Sequence, residues 1–125
     1  MLKMLLIVSA GSFVGGGLRF LVTRFIQNRI EMSLPLGTLV VNLVGCLLIG
    51  LFFGLYERGN LLDNNLRLFL TVGICGGFTT FSTFASENVQ LLRDANIFNV
   101  ALYVSITLVG GFLAVWLGQA IIKSI

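Results

Sequence analysis

The sequence predicts an all-α integral membrane protein with four transmembrane helices. Of its 125 residues, 57% are hydrophobic and only 10% are charged, whereas a soluble domain carries about 25% charged residues. The charged residues also cluster in short breaks between apolar segments. Each segment has about the 20 residues that a helix needs to cross a bilayer. We therefore expect residues 1–125 to form one four-helix membrane domain without room for a soluble one.

The uncharged stretches place the four spans. The first is expected at about 3–26, interpreted as a retained helix because the apolar run before Ser9 is shorter than the core of a signal sequence and the apolar pattern continues past it to Ile26. The second is expected at about 35–56 and starts at Pro35, whose missing N–H costs nothing in a first turn. The third and fourth spans are expected at about 66–92 and 97–122.

The third span carries the most informative stretch, GICGGFTTFSTF over residues 73–84. A double glycine followed by hydroxyl residues makes a poor continuous helix, and the centre of the span falls at Thr79. We therefore predict that the third helix is broken near the midplane of the membrane. Backbone carbonyls released there must be satisfied by protein or a cavity, and such carbonyls can bind a cation.

The loop charges give little orientation bias. Four basic residues lie on the side of the termini and three on the other, namely Lys3, Arg58, Arg67 and Lys123 against Arg24, Arg29 and Arg93. Because Lys and Arg set orientation, the near balance predicts insertion in both directions, which would allow two copies to pair antiparallel. The two midplane breaks would then meet on the two-fold axis and share one ion. The alternative is a single orientation set by a smaller bias.

Small residues recur at helical spacing in three spans. The pairs are Gly11 and Gly15, Gly50 and Gly54, and Gly73 and Gly77. Glycines four residues apart lie on one helix face and let neighbouring backbones approach closely. The pattern predicts tight helix packing and says little about function.

Two polar side chains inside spans are candidates for function. Arg19 is the one basic residue well inside a span, where a charge is costly and is usually functional or paired; the alternative is that it reaches out to the interface. Asn42 is the strongly polar side chain of the second span. It either bonds two helices together or presents its amide to a polar pathway.

The residues after the predicted break favour a path for a small anion. Phe81 and Phe84 share a helix face, and their ring edges carry partial positive charge. Hydroxyl donors accompany them, from Thr79, Thr80, Ser82 and Thr83. Such a path attracts an anion without a fixed charge that would trap it. The alternative is that both rings belong to the core.

Two further residues have open interpretations. Glu87 lies towards the end of the third span, either at an interface where a charge is cheap or at the mouth of a pore. Tyr103 in the fourth span is an interfacial or core aromatic residue, and its hydroxyl needs a partner if it is buried.

Several function classes are excluded. The chain has no His, and Cys46 and Cys75 lie in apolar stretches without a partner at metal-ligand spacing. No nucleophile–base pair, acid pair or phosphate loop supports an enzyme. The basic residues are scattered, so a nucleic-acid partner is not expected.

Three motifs resemble the small fluoride channels known as Fluc or CrcB. The first is Gly16-Gly17-Leu18-Arg19-Phe20, and the second is Pro35-Leu36-Gly37-Thr38-Leu39 with Val41-Asn42-Leu43-Val44-Gly45. The third, Gly76-Gly77-Phe78-Thr79-Thr80-Phe81-Ser82-Thr83-Phe84, is the longest and most specific.

The resemblance implies an antiparallel, dual-topology homodimer with two pores in the cell (inner or plasma) membrane. It implies passive, selective fluoride export that protects a microbial cell. The fluoride pore would comprise Asn42, Phe81, Ser82, Thr83, Phe84 and Tyr103. Arg19 would lie near an aqueous vestibule. Gly76 and Thr79 would offer backbone carbonyls to a structural sodium ion.

Two rivals predict different sequences. A proton-coupled small multidrug exporter needs a membrane-embedded Glu in its first span, but residues 1–26 contain no Asp or Glu. Within the spans, Glu87 is the acidic candidate, and it lies near a helix end. A structural or assembly subunit would not need a Gly-Gly break followed by Thr-Thr-Phe-Ser-Thr-Phe.

Overall fold

The computed structural model describes residues 1–30, 34–59 and 63–125. These residues are helical and contain no strand. The chain forms, in order, α1 (Leu2–Arg29), α2 (Leu36–Glu57), α3 (Asn64–Arg67), a π-helix (Leu68–Cys75), α4 (Gly76–Phe78), α5 (Ser82–Arg93) and α6 (Ile97–Ser124).

Four helical segments are long and apolar enough to cross a membrane, which confirms the predicted class. They are Leu2–Arg29, Leu36–Glu57, Asn64–Arg93 and Ile97–Ser124. Each of the two 28-residue helices extends about 42 Å at 1.5 Å per residue, more than the roughly 30 Å hydrocarbon layer. Many large apolar side chains point outward, Phe13 being 84% exposed. A surface of this kind suits lipid or another protein rather than water.

Helices α2 and α6 pack through glycines. A methyl group at Gly118 would lie 2.6 Å from the carbonyl oxygen of Leu47 and 2.7 Å from the amide nitrogen of Leu51. One at Gly50 would collide with the carbonyl of Val115. The two backbones therefore touch, as the glycine spacing predicts.

Helix α1 approaches the third span in the same way. A Cβ atom on Gly11 would lie 2.7 Å from the Cα of Gly73, and one on Gly77 would lie 2.8 Å from the carbonyl oxygen of Ser12. A Cβ atom on Gly15 would come even closer to the carbonyl of Ile74. These glycines bring α1 against the π-helix and α4, so that Arg19, one turn further along α1, lies beside the end of α4.

The third span contains the irregular backbone. Its first half is a π-helix, which the sequence did not indicate. Within it, the hydroxyl of Thr71 donates to the carbonyl of Arg67 at 2.7 Å, a back-bond that competes with the amide ladder and often accompanies bending. The break itself is confirmed. It comes after the double glycine, since Gly76 and Gly77 are still helical and residues 79–81 separate α4 from α5.

Polar contacts close one end of the bundle. The guanidinium of Arg58, just beyond α2, donates from Nη1 to the carbonyl of Ile122 at 2.7 Å, which also accepts the amide of Ile125 at 3.2 Å in the last turn of α6. The guanidinium of Arg67 lies 4.5 Å from the ring centroid of Tyr56. These contacts connect the ends of α2, α3 and α6.

Candidate functional site

The break in the third span is held by hydrogen bonds from its own hydroxyl. Thr79 has an extended backbone, with ψ at 160°, so the helix cannot continue through it. Its amide and its hydroxyl both donate to the carbonyl of Cys75, at 3.0 and 2.9 Å. The carbonyl of Cys75, just before α4, therefore has two donors from the residue at which the helix stops, and polar backbone inside a membrane needs such partners.

Two polar side chains from other helices hold the break from both sides. Arg19 of α1 donates from Nε to the carbonyl of Gly77 at 3.1 Å. On the α2 side, Asn42 donates from Nδ2 to the carbonyl of Thr80 at 2.9 Å and accepts the amide of Thr80 on Oδ1 at 2.8 Å. The side-chain amide of Asn42 therefore bonds both the N–H and the C=O of Thr80, as the backbone of a neighbouring strand would.

A groove of about 490 Å³ lies between α2, the break and α6. Asn42, Gly76, Thr79, Phe81 and Phe84 all contribute to its walls. The sequence predicted a role for each of them, and the fold brings them to one place. The groove is open on the side where Phe81 lies, and that side chain is 78% exposed.

An aromatic row leads from the groove into the protein. The ring centroids of Phe81 and Phe84 are 5.9 Å apart. Phe84, only 8% exposed, meets Tyr103 edge to face with 5.0 Å between centroids. Tyr103 is completely buried. Edge-to-face contact is the arrangement that the charge distribution of aromatic rings favours, so the two inner rings have defined orientations.

The row ends at a carboxylate with two hydroxyl donors. The hydroxyl of Tyr103 donates to Oε1 of Glu87 at 3.0 Å, and the hydroxyl of Thr38 donates to Oε2 at 3.0 Å. Glu87 is half-buried and lies inside α5, six residues before that helix ends at Arg93. Both oxygens of the side chain thus have partners from α2 and α6.

The remaining candidates lie around these groups. The hydroxyl of Thr80 accepts the amide of Thr83 at 3.3 Å and donates to its hydroxyl at 3.2 Å. Ser82 is exposed at the start of α5 and is not part of the groove wall. Arg19 is half-buried on the α1 side of the break, where it contacts Gly77.

Sequence reasoning missed two polar residues of the site. Thr38 lies four residues before Asn42, and Thr107 lies four residues after Tyr103 and lines the groove. The hydroxyl of Thr107 is buried without a partner among the described residues. Since residues four apart share a helix face, each threonine was detectable as a neighbour of a polar residue already singled out.

No group of three or more His, Cys, Asp or Glu side chains able to hold a metal occurs within residues 1–30, 34–59 and 63–125. The groove wall offers oxygen atoms of other kinds, from the backbone and from the side chains of Asn42, Thr79 and Thr80.

This architecture defines a small multi-pass membrane protein, with a polar and aromatic groove built around a broken span. The chain belongs to the CrcB family, since residues 6–119 match the family model described as "CrcB-like protein, Camphor Resistance (CrcB)".

Relatives share nearly the full length of the chain. A protein of Flavobacterium psychrophilum is 41% identical over 124 residues, which cover 99% of this chain and 100% of the relative. One from Azobacteroides pseudotrichonymphae is 45% identical, with 94% of each chain covered. A third, from Chlorobium phaeobacteroides, is 46% identical over 95% of this chain and 92% of its own. Each is named fluoride-specific ion channel FluC.

Proposed function

We propose that this protein is a fluoride-selective channel through which fluoride leaves the cytoplasm passively. The observation that carries the proposal is the continuous row from the groove through Phe81, Phe84 and Tyr103 to Glu87. The relatives named fluoride-specific ion channel support it, since they match over almost the whole chain.

The chemistry of the row suits a small, strongly hydrated anion. Asn42 keeps one amide hydrogen beyond its bond to Thr80, and the ring edges of Phe81 and Phe84 offer partial positive charge. Thr83, whose hydroxyl accepts from that of Thr80, and Ser82, outside the groove wall, are further hydroxyls assigned to the proposed path. Several weak donors in sequence replace water without holding the ion, and conduction needs such weak, multi-site binding.

Charged residues have supporting places in this proposal. Arg19 lies by the vestibule, where its charge raises the local concentration of anions. Glu87, where the row ends, would stand at the mouth of the path away from the groove, and it fixes the hydroxyl of Tyr103 so that the phenol ring stays edge to face with Phe84. Tyr103 then forms the inner wall of the path.

A second copy of the chain, inserted in the opposite orientation, completes the proposed channel. Phe81 and Phe112 are 78% and 75% exposed beside the open groove. An antiparallel partner with the same face would cover these rings across a two-fold axis. The proposed dimer has two pores, and each chain is one membrane domain spanning residues 1–125.

A structural sodium ion fits the residues of the break. Gly76 and Thr79 both line the groove, and neither carbonyl receives the amide that a continuous helix would supply among the described hydrogen bonds. Carbonyls of an unwound span are suitable ligands for sodium. Gly76 and Thr79 of two copies would hold the ion, whose charge would bind the two breaks together.

The proposed driving force needs no nucleotide. Hydrogen fluoride enters a cell in its neutral form and ionises in a less acidic cytoplasm. The anion then leaves through the channel, driven by the membrane potential. The proposed location is accordingly the cell's inner or plasma membrane, and the proposed benefit is lower fluoride toxicity.

Fluoride efflux from liposomes tests the proposal. Liposomes with purified protein are loaded with potassium fluoride or potassium chloride, and valinomycin starts the efflux. We expect fluoride to leave and chloride to be retained. A ring edge contributes about 1 kcal/mol, so Phe81→Ile and Phe84→Ile should each slow fluoride efflux by roughly fivefold.

Phe13→Ile is the matched control, because Phe13 is 84% exposed on α1 and lies outside the groove wall. It should conduct as the unsubstituted protein does. Absence of fluoride efflux from folded protein would refute the channel. Equal slowing by all three substitutions would refute the assigned path.

A further inference from the structure

Thr80 is the most heavily bonded residue of the break. Its amide donates to Oδ1 of Asn42 at 2.8 Å, and its carbonyl accepts from Nδ2 of the same side chain at 2.9 Å. Its hydroxyl accepts the amide of Thr83 at 3.3 Å. Two backbone amides, those of Thr80 and Thr83, therefore donate to side chains.

A continuous α-helix would use both amides differently. Each amide donates to the carbonyl four residues earlier, so the amide of Thr80 would bond Gly76 and that of Thr83 would bond Thr79. The neighbouring carbonyls keep donors. Cys75 receives the amide of Thr79 at 3.0 Å, and Gly77 receives Nε of Arg19 at 3.1 Å.

We infer that the amide of Asn42 and the hydroxyl of Thr80 are positioning groups that hold the carbonyls of Gly76 and Thr79 open for a monovalent cation. The inference rests on the proposed function, because it concerns the sodium site proposed there. It gives Asn42 a second role besides its place in the fluoride path. The cation site is then built by α2 as much as by the third span.

The chemistry of Asn42 explains why an amide is used. A carboxamide offers a donor and an acceptor side by side, so it replaces both hydrogen bonds that Thr80 loses at the break. Alanine offers neither group. For Thr80, serine preserves the hydroxyl, whereas valine keeps the shape and removes the acceptor for the amide of Thr83.

Thermal unfolding in detergent at increasing sodium chloride tests the inference, with choline chloride holding the ionic strength constant. An ion that binds the folded state raises the unfolding temperature with concentration. We expect Asn42→Ala and Thr80→Val to raise the sodium concentration for half-maximal stabilisation by roughly tenfold or more, as substitutions that support metal ligands do.

Two variants are matched controls. Thr80→Ser keeps the hydroxyl, and Asn88→Ala removes an amide that bonds the carbonyl of Phe84 at 2.9 Å, beyond the break. Both should keep the sodium dependence of the unsubstituted protein. The same samples are assayed for fluoride efflux.

Sodium dependence in Asn42→Ala equal to that of the unsubstituted protein would overturn the inference. If Asn42→Ala does not fold, Thr80→Val takes its place, and an unchanged sodium dependence in that variant would overturn the inference. No sodium response in the unsubstituted protein overturns the inference even where fluoride efflux is normal. The unsubstituted protein could also respond to sodium but show no fluoride efflux. If Asn42→Ala and Thr80→Val then lose the sodium response, the inference is supported and the proposed channel function is overturned.

Discussion

Removing the hydroxyl of Tyr103 tests the inner end of the aromatic row. Tyr103 is completely buried, and its hydroxyl is one of two donors to the carboxylate of Glu87. Tyr103→Phe leaves Oε1 of that side chain without a donor. Hydrogen bonds to charged groups contribute about 1.5–3 kcal/mol, so we expect the free energy of unfolding to fall by that amount.

A second background separates the hydrogen bond from other effects of the substitution. With Glu87→Leu the acceptor is gone, and the hydroxyl of Tyr103 becomes the unsatisfied group. Tyr103→Phe should then cost nothing or stabilise the fold, since replacing both partners by apolar groups can be nearly neutral. The unsubstituted protein, the two single variants and the double variant form a double-mutant cycle. The expected coupling energy between Tyr103 and Glu87 is about 1.5–3 kcal/mol.

The assay is the free energy of unfolding in mixed micelles titrated with sodium dodecyl sulfate, followed by circular dichroism. Fluoride efflux is measured on the same variants. If Tyr103→Phe costs the same in both backgrounds, the hydroxyl does not act through Glu87, and the reasoning is refuted. If the coupling is present, Glu87 holds Tyr103 against Phe84 as the geometry indicates.

Two further predictions concern packing and helix ends. Gly118→Ala should destabilise the protein by about 1–3 kcal/mol, because the added methyl group meets the backbone of α2. Gly17→Ala, where the methyl group would have nothing within 4 Å, should be neutral or stabilising by up to about 1 kcal/mol. Equal effects of the two substitutions in the same detergent titration would contradict the packing argument. Arg58→Gln should lower stability by about 0.5–1 kcal/mol through the lost bond to Ile122, and unchanged stability would show that water replaces the guanidinium.

The four spans were predictable because charge is expensive inside a bilayer. A helix that crosses the bilayer must exclude most charged residues for about 20 positions, and these uncharged stretches are visible in the sequence. The break was predictable for a related reason. Glycines and hydroxyl residues that compete for backbone bonds seldom coincide inside a span unless the helix is interrupted.

The partners of each polar group were not predictable in the same way. That Asn42 pairs with Thr80, and Thr38 with Glu87, depends on the rotation of α2 against the third span. In a chain this apolar, the hydrophobic period does not fix that rotation, because lipid-facing and protein-facing surfaces are equally hydrophobic. The π-helix escaped prediction because its wider turn leaves no signal in the residue types.

The glycines and the polar residues of the break serve one structural requirement. An interrupted helix leaves amides and carbonyls that cost several kcal/mol each in hydrocarbon unless they find partners. Side chains long enough to reach them are available only if neighbouring backbones come close, and the contact of Gly77 with Ser12 brings α1 to that distance. Arg19 and Asn42 then satisfy the groups on either side of the break. Gly76 and Thr79 line the groove, and their carbonyls, which lack the amides of a continuous helix, are the ones we propose as cation ligands.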